Sequence, residues 1–441
     1  MQAARIVETN RRHVLFSWSV QSEIPPVPVV RGEGCHLYDA DGRAYLDFSS
    51  GLINTNLGHS HPRVVEAIRV QAGRLQYAVP GLPNDVRGEL ARRLWEVSPG
   101  RDLVKTLFTT GGAEAVENAI KIAWEYTGRR KILTNYRSYH GATLGAISAS
   151  GDSRRWDYEP GVPGFVRIFG PYPYRSHFGV PPEGECEACL RHVEEVVRYE
   201  GAETIAGILV EPIIGGNGVI VPPDGYLQGL RAICDRHGFL LIIDEVMTGF
   251  GRTGAWFACD HWNVVPDLMT FAKGVTSGYV PLGGVMISSR IADWYADRYF
   301  GSGLTYSGHP LACAAGLAAL DAYQEDGLIE RARVMGGVLE TELRRVAARH
   351  PSVGDVRGMG LFYCLELVKD RRTKAMLLEW NGPDHSVLVQ VLDTLLARGV
   401  FMFGRWNCLF VAPPLIVTEA EMRRGAEVLD EVLAIADQAA G

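Results

Sequence analysis

No stretch of the 441 residues offers the ~18 consecutive uncharged apolar positions that a membrane helix needs. The opening Met1–Glu8 mixes charges early, and Val14 to Val20 is short, carries Ser17 and Ser19 and lacks a cleavage site, so no secretory leader is expected. Repeats, low-complexity tracts and linkers rich in Ser, Gly or Pro are missing too, which removes solenoids and loosely tethered modules from consideration. A basic surplus is also missing. Against 44 Lys and Arg stand 51 Asp and Glu, a net charge of −7, and nucleic acid is thereby disfavoured as a partner. The eight cysteines are scattered and sit mostly in apolar segments, as buried thiols do. Cys186 and Cys189 form the single C-x-x-C, without the second pair of a zinc ribbon, and read as an incidental helix start. No metal site, no membrane and a cytoplasmic location are the expectations. With 47% apolar and 22% charged residues the chain is globular, and its length lets it bury about three quarters of its extended surface.

What is present is an alternation of helices and short apolar strands. The first sixty residues read as extended segments, with a hairpin across Cys35 to Asp47 turning at Asp41-Gly42. From about residue 60 the pattern changes. Val116, Ile120, Ala123 and Trp124 fall at offsets 0, 4, 7 and 8, one face of a helix over 114–126. The runs 205–210, 239–243 and 268–271 are short, largely apolar and bounded by polar or Gly residues, and suit parallel strands buried on both faces. An α/β sheet covered by helices follows. A long helix begins near Pro310, and 330–441 alternates again as a smaller unit.

In open α/β sheets ligands gather beyond the carboxyl ends of the strands, so polar residues there come first. Asp244 closes one apolar run, Glu211 ends another, and Lys273 follows the third. Each alone has a bland explanation: a strand-end carboxylate caps a helix, a strand-end lysine reaches solvent. Upstream, Thr109-Thr110-Gly111-Gly112-Ala113 leads directly into the amphipathic helix. Glycines let the main chain approach an anion, and the free N–H groups of Gly112 and Ala113 at the helix start face it with the dipole. Glu114 and Glu117 also favour that dipole, which is the purely structural account of the turn. Taken together with this turn upstream, Asp244, Glu211 and Lys273 weaken the bland reading of each. Gly249 to Gly254 matches G-x-G-x-x-G, yet no clear helix and no acidic residue about twenty positions on supports a dinucleotide. His59 and His61 lack a third ligand for a metal.

Taken in order, 109–121, Tyr139-His140-Gly141, Asp244-Glu245-Val246, Gly249 to Gly254, Ala272-Lys273-Gly274 and Thr305 to Pro310 resemble the class III aminotransferases. These are pyridoxal-phosphate (PLP) enzymes of fold type I, also called ω-aminotransferases, and the resemblance extends from Asp41-Gly42 to the 412–415 segment. It implies a large domain with a mostly parallel central sheet over 61–325, and a smaller α+β domain built from 1–60 and 326–441. It implies that Lys273 bonds covalently to PLP and shuttles the substrate proton, as a lysine that can lose its charge when desolvated is able to do. Asp244 would hold the pyridinium nitrogen protonated. Val246 and Tyr139 would cover the two ring faces, with His140 a structural neighbour and Glu211 beside the cofactor. Gly111, Gly112 and Ala113 would hold the phosphate, joined by Thr305 of a second subunit in a homodimer or tetramer. Trp18, Leu52 and Ile53 would line the substrate side.

Two departures refine the expectation. Many members place Gln where this chain has Met247, and again where it has Ile214. Both changes resemble the subgroup using pyruvate, including the taurine:pyruvate enzymes, and argue against glutamate-dependent members. The implied reaction is ping-pong amino transfer from an amine or ω-amino acid to a keto acid, with pyruvate favoured. A PLP-dependent aminomutase or decarboxylase is the alternative, and a catalytically silent relative is disfavoured because every chemical position is filled. Arg405 is the candidate for the substrate carboxylate, although it lies closer to Pro413 than in the common pattern; Arg252 in the Gly-rich loop is the rival.

Overall fold

Seven strands form the central sheet of the computed structural model, which describes residues 2–441. Their order is Lys105–Thr109, Gly283–Ile287, Leu268–Phe271, Leu240–Asp244, Ile205–Val210, Lys131–Asn135 and Phe165–Ile168. Only Gly283–Ile287 runs antiparallel to its neighbours. Every residue of 205–210, 240–244 and 268–271 is buried, as the unbroken apolar runs require of strands covered on both faces. Truncating one of these, Ile242 for instance, is expected to cost about 2–5 kcal/mol. The strand expected over 239–243 sits one residue later. Gly238 ends the preceding helix Tyr226–His237 in a left-handed conformation (φ 68°), and the Phe239 N–H donates back to the Cys234 carbonyl. Asp244 is therefore the last residue of the strand itself.

The helix predicted over 114–126 spans Gly112–Thr127 and stops at Gly128, whose φ of 69° suits a glycine cap. Its buried face is wider than the predicted stripe, taking in Ala115, Ala119 and Ile122 as well as Val116, Ile120 and Ala123. Small residues let it lie close on the sheet; Trp124 packs at the margin. Helix Pro310–Glu325 begins where proline predicts and packs on Pro62–Arg74 and Asp85–Val97. Cys186 and Cys189 lie in helix Glu185–Glu200, and all eight cysteines are free thiols.

The ends of the chain meet. The hairpin His36–Asp39 with Ala44–Asp47 forms as read, and Val400–Phe401 adds to it in parallel beside Ala44–Asp47. Two residues later Phe403–Arg405 enters a different sheet, with Cys408–Val411, Phe362–Asp370 and Val353–Met359. The chain thus passes from one small sheet to the other at Met402, and Arg405 ends the first strand beyond that passage. No helix is long and apolar enough to cross a membrane among the described residues.

Candidate active site

The carboxyl ends of the parallel strands open on a cavity of about 890 Å³. Lys273, Asp244 and Glu211 all line it, drawn from three neighbouring strands. Asp244 is nearly buried and saturated with partners. Its Oδ1 accepts from Thr270 Oγ1 at 2.9 Å and from the Val246 N–H at 3.1 Å, and its Oδ2 lies 2.8 Å from His140 Nδ1. These contacts fix the carboxylate in one orientation, aimed into the cavity. His140 Nε2 is buried without a hydrogen-bond partner among the described residues. Lys273 is half-buried at the cavity wall, and burial lowers its ammonium from 10.5 to about 8 even though Asp244 and Glu211 pull the other way. Its backbone is in the left-handed region at φ 44°, uncommon for a side chain of this size. A neutral amine near physiological pH is what a carbonyl-trapping lysine needs.

Glu211 binds main chain of two different loops. Its Oε1 accepts the Tyr139 N–H at 2.9 Å and its Oε2 the Gly215 N–H at 2.8 Å. Burial, reinforced by Asp244, raises its carboxyl to about 7 despite those donors. Tyr139 and Val246 line the cavity, as do Gly111, Gly112 and Ala113 at the start of the Gly112–Thr127 helix. The acids of that first turn face elsewhere: Glu114 takes the Thr110 N–H and hydroxyl, and Glu117 the N–H groups of Gly145 and Ala146. The N–H groups of Gly112 and Ala113 have no protein acceptor among the described residues. Glycine is required at 112, where a Cβ would stand 2.9 Å from Val246 Cγ1.

Trp18, Leu52 and Ile53 also reach the cavity, Trp18 and Leu52 from exposed positions. Arg405 does as well; Arg252 does not. Arg252 is fully buried in the Gly-rich loop and spends its guanidinium on Leu361 O, Pro413 O, Ser50 Oγ and Asn56 Oδ1. Its candidacy for the substrate carboxylate fails: it staples the loop preceding the N-terminal helix Pro62–Arg74 to the C-terminal segment. Gly251 and Gly254 allow that loop to press on helix Leu328–Arg349, so the glycine pattern serves packing, not a nucleotide. Thr305 is exposed and outside this cavity. His59 pairs with buried Asp47 at 2.9 Å, and the described residues hold no metal-binding cluster.

Two residues in the site escaped sequence reading. Arg154 lies 3.6 Å above the Tyr139 ring and lines the cavity, and Asp152, fully buried, joins it to Arg405. Burial alone would push the Asp152 carboxyl up; hydrogen bonds from Arg405 and Arg154 outweigh it and hold the group well below the usual carboxylate range. Nothing local marked them, since Asp152-Ser153-Arg154-Arg155 looks like a solvated charged turn.

A family model described as aminotransferase class-III matches residues 18–433. The chain belongs to the class III aminotransferases. Its fold is PLP fold type I and its cofactor is pyridoxal phosphate. A structure of taurine:2-oxoglutarate aminotransferase from Bifidobacterium kashiwanohense, in complex with PLP and glutamate, is 42% identical with a TM-score of 0.96, covering 99% of this chain and 98% of that one. A thermostable (S)-enantioselective ω-transaminase from Thermomicrobium roseum is 41% identical, with a TM-score of 0.91 and 98% of each chain covered. The taurine–pyruvate aminotransferase of Bilophila wadsworthia is 34% identical over 455 residues, 99% of this chain and 97% of that one. These residues fit PLP: a half-buried lysine, a fixed carboxylate, an aromatic ring and a helix start with free N–H groups share one cavity.

Proposed function

We propose that this aminotransferase takes the amino group of an ω-amino acid with an acidic far end, of the taurine or β-alanine kind, and passes it to a 2-keto acid, with pyruvate the acceptor. The observation that carries the reading is the placement of two guanidiniums, Arg405 and Arg154, in the same cavity as Lys273 and Asp244. A bidentate guanidinium holds a carboxylate or sulfonate in a fixed orientation, which sets the carbon to be deprotonated near the lysine. PLP supplies an electron sink for the bond broken at that carbon. The Lys273 amine, whose charged form burial disfavours, removes the proton and returns it on the other side of the exchange. Asp244, held by His140 and Thr270, would pair with the pyridinium nitrogen of the cofactor. Gly111, Gly112 and Ala113 hold its phosphate, and Tyr139 and Val246 close on its ring.

The working unit is a homodimer in this reading, Thr305 completing the phosphate site of the partner subunit, and the enzyme acts in the cytoplasm. A second reading names 2-oxoglutarate as the acceptor, favoured by Arg154 as a second cation for a second carboxylate and by the name of the 42% identical structure. Assaying taurine, β-alanine, 4-aminobutyrate and 1-phenylethylamine against pyruvate and 2-oxoglutarate separates them. Faster turnover of the acid-ended donors with pyruvate is the expected result. Turnover of 1-phenylethylamine alone would remove the acidic-donor reading, and strict dependence on 2-oxoglutarate would install the second acceptor.

A further inference from the structure

Lys273 opens a tight turn, Lys273–Val275, one residue after strand Leu268–Phe271, with its backbone in the left-handed region. Ser277 and Gly278 lie there too, at φ 54° and 76°. A long side chain keeps such a conformation only where its surroundings over-determine it. Most carbonyls of this turn are used within the segment itself. Ala272 O accepts the Val275 N–H, Lys273 O the Thr276 N–H and Thr276 O the Tyr279 N–H. Gly274 O differs. It accepts the Ser277 N–H at 3.1 Å and also the hydroxyl of Tyr323 at 2.7 Å.

Tyr323 is fully buried on helix Pro310–Glu325. Its ring is fixed by two others, stacked on Phe250 with centroids 6.3 Å apart and edge-on to Trp256 at 6.1 Å. Burial pushes its phenol up, so it keeps the proton that it donates. Gly274 is pressed close, since a Cβ there would stand 2.7 Å from Asn56 Nδ2 and 2.8 Å from Phe250 Cβ. Among the described residues, Tyr323 supplies the one side-chain hydrogen bond to the main chain of 272–275. It does not line the cavity, and it makes no hydrogen bond to Asp244 or to the Gly111–Ala113 turn.

We infer that Tyr323 is a positioning residue for the reaction: its hydroxyl, through the Gly274 carbonyl, holds Lys273 in the conformation that presents the amine to the cofactor. The inference rests on the reading of Lys273 as the residue that bonds to PLP. Docking and bonding are then separable. Loss of the hydroxyl frees the turn to relax toward ordinary backbone angles, which takes the amine off its line of attack and leaves the docking groups in place.

Tyr323→Phe keeps the ring and its packing and removes only the donor. Covalent capture of PLP by this apoenzyme, followed by absorbance at saturating PLP, should slow about five- to tenfold, the worth of one hydrogen bond to a buried carbonyl. Affinity for pyridoxamine phosphate, which docks without bonding to the lysine, should stay within about twofold. Chemical rescue separates positioning from general damage. In Lys273→Ala, added methylamine supplies a free amine to docked PLP, and the further change Tyr323→Phe should leave that rate within about twofold. Capture by Tyr323→Phe unchanged within about twofold overturns the inference. So does an equal slowing of the methylamine reaction in the double variant, or a parallel loss of pyridoxamine phosphate affinity, because each shows the whole site loosened. If borohydride mapping of the wild-type enzyme finds the pyridoxyl group on another lysine, the reading of Lys273 has failed and the inference falls with it.

Discussion

His140 Nδ1 stands 2.8 Å from Asp244 Oδ2, with the imidazole fully buried and the carboxylate nearly so. The pair joins the loop after strand Lys131–Asn135 to the end of Leu240–Asp244. His140 is thus a positioning residue acting through Asp244. Removing it takes away one charge-assisted hydrogen bond of about 1.5–3 kcal/mol and leaves a carboxylate oxygen unpaired. His140→Ala should weaken PLP affinity and lower kcat together by about 10- to 100-fold. Asp244→Asn should do more, because it keeps the geometry and removes the charge. PLP titration of the apoenzyme and steady-state kinetics measure both; an unaffected His140→Ala enzyme would separate the pair.

Lys273 gives a pH prediction. Only the neutral amine attacks a carbonyl, and the neutral form dominates above the pKa of the group. Since burial brings that value from 10.5 down to about 8, covalent capture of PLP by the apoenzyme should speed up as pH rises and level off above about 8. A rate still climbing toward pH 10 would show an ordinary lysine. Borohydride reduction and peptide mapping should then find the pyridoxyl group on Lys273, and an adduct on Lys105, Lys121 or Lys131 would reassign the site.

Arg405 and Arg252 should behave differently on truncation. Arg405→Ala loses a bidentate contact worth ~2–3 kcal/mol and should lower kcat/KM for pyruvate by about 30- to 200-fold. Amines without an acid group should lose far less in their own half-reaction. Arg252→Ala instead strands four buried acceptors and should lower the melting temperature, costing about 3 kcal/mol or more, without changing the preference among acceptors. Thermal unfolding and acceptor profiling decide between these roles. Selectivity lost in Arg252→Ala would return it to the substrate site.

The dimer proposal has a subunit-mixing test. Lys273→Ala lacks the covalent residue, and Thr305→Asp places a charge against the phosphate of the neighbouring subunit. In a hybrid, one site receives both defects and the other neither. Equal mixing should restore roughly a quarter of wild-type activity, since half the dimers are hybrids with one good site each. No recovery after exchange would place Thr305 outside its partner's site.

Local chemistry determined much of this protein by itself. Buried parallel strands show in sequence because both faces must be largely apolar, so 205–210, 239–243 and 268–271 stand out as short apolar runs, and the charged residue just beyond each is conspicuous. Glu211, Asp244 and Lys273 were legible for that reason, and the turn at Gly111-Gly112 because only a glycine tolerates the approach of Val246. What tertiary structure alone decided are the pairings between residues far apart in the chain. A buried arginine and a cavity arginine have the same side chain, and nothing adjacent distinguishes them. Arg252 proves structural because four acceptors from three distant segments converge on it, and Arg405 faces the cavity because its strand follows directly on one that closes the N-terminal sheet. Asp152 was the least legible. A charged turn in sequence becomes a buried counter-ion only when residue 405 is folded against it, and the 253 positions between them leave no periodicity to read.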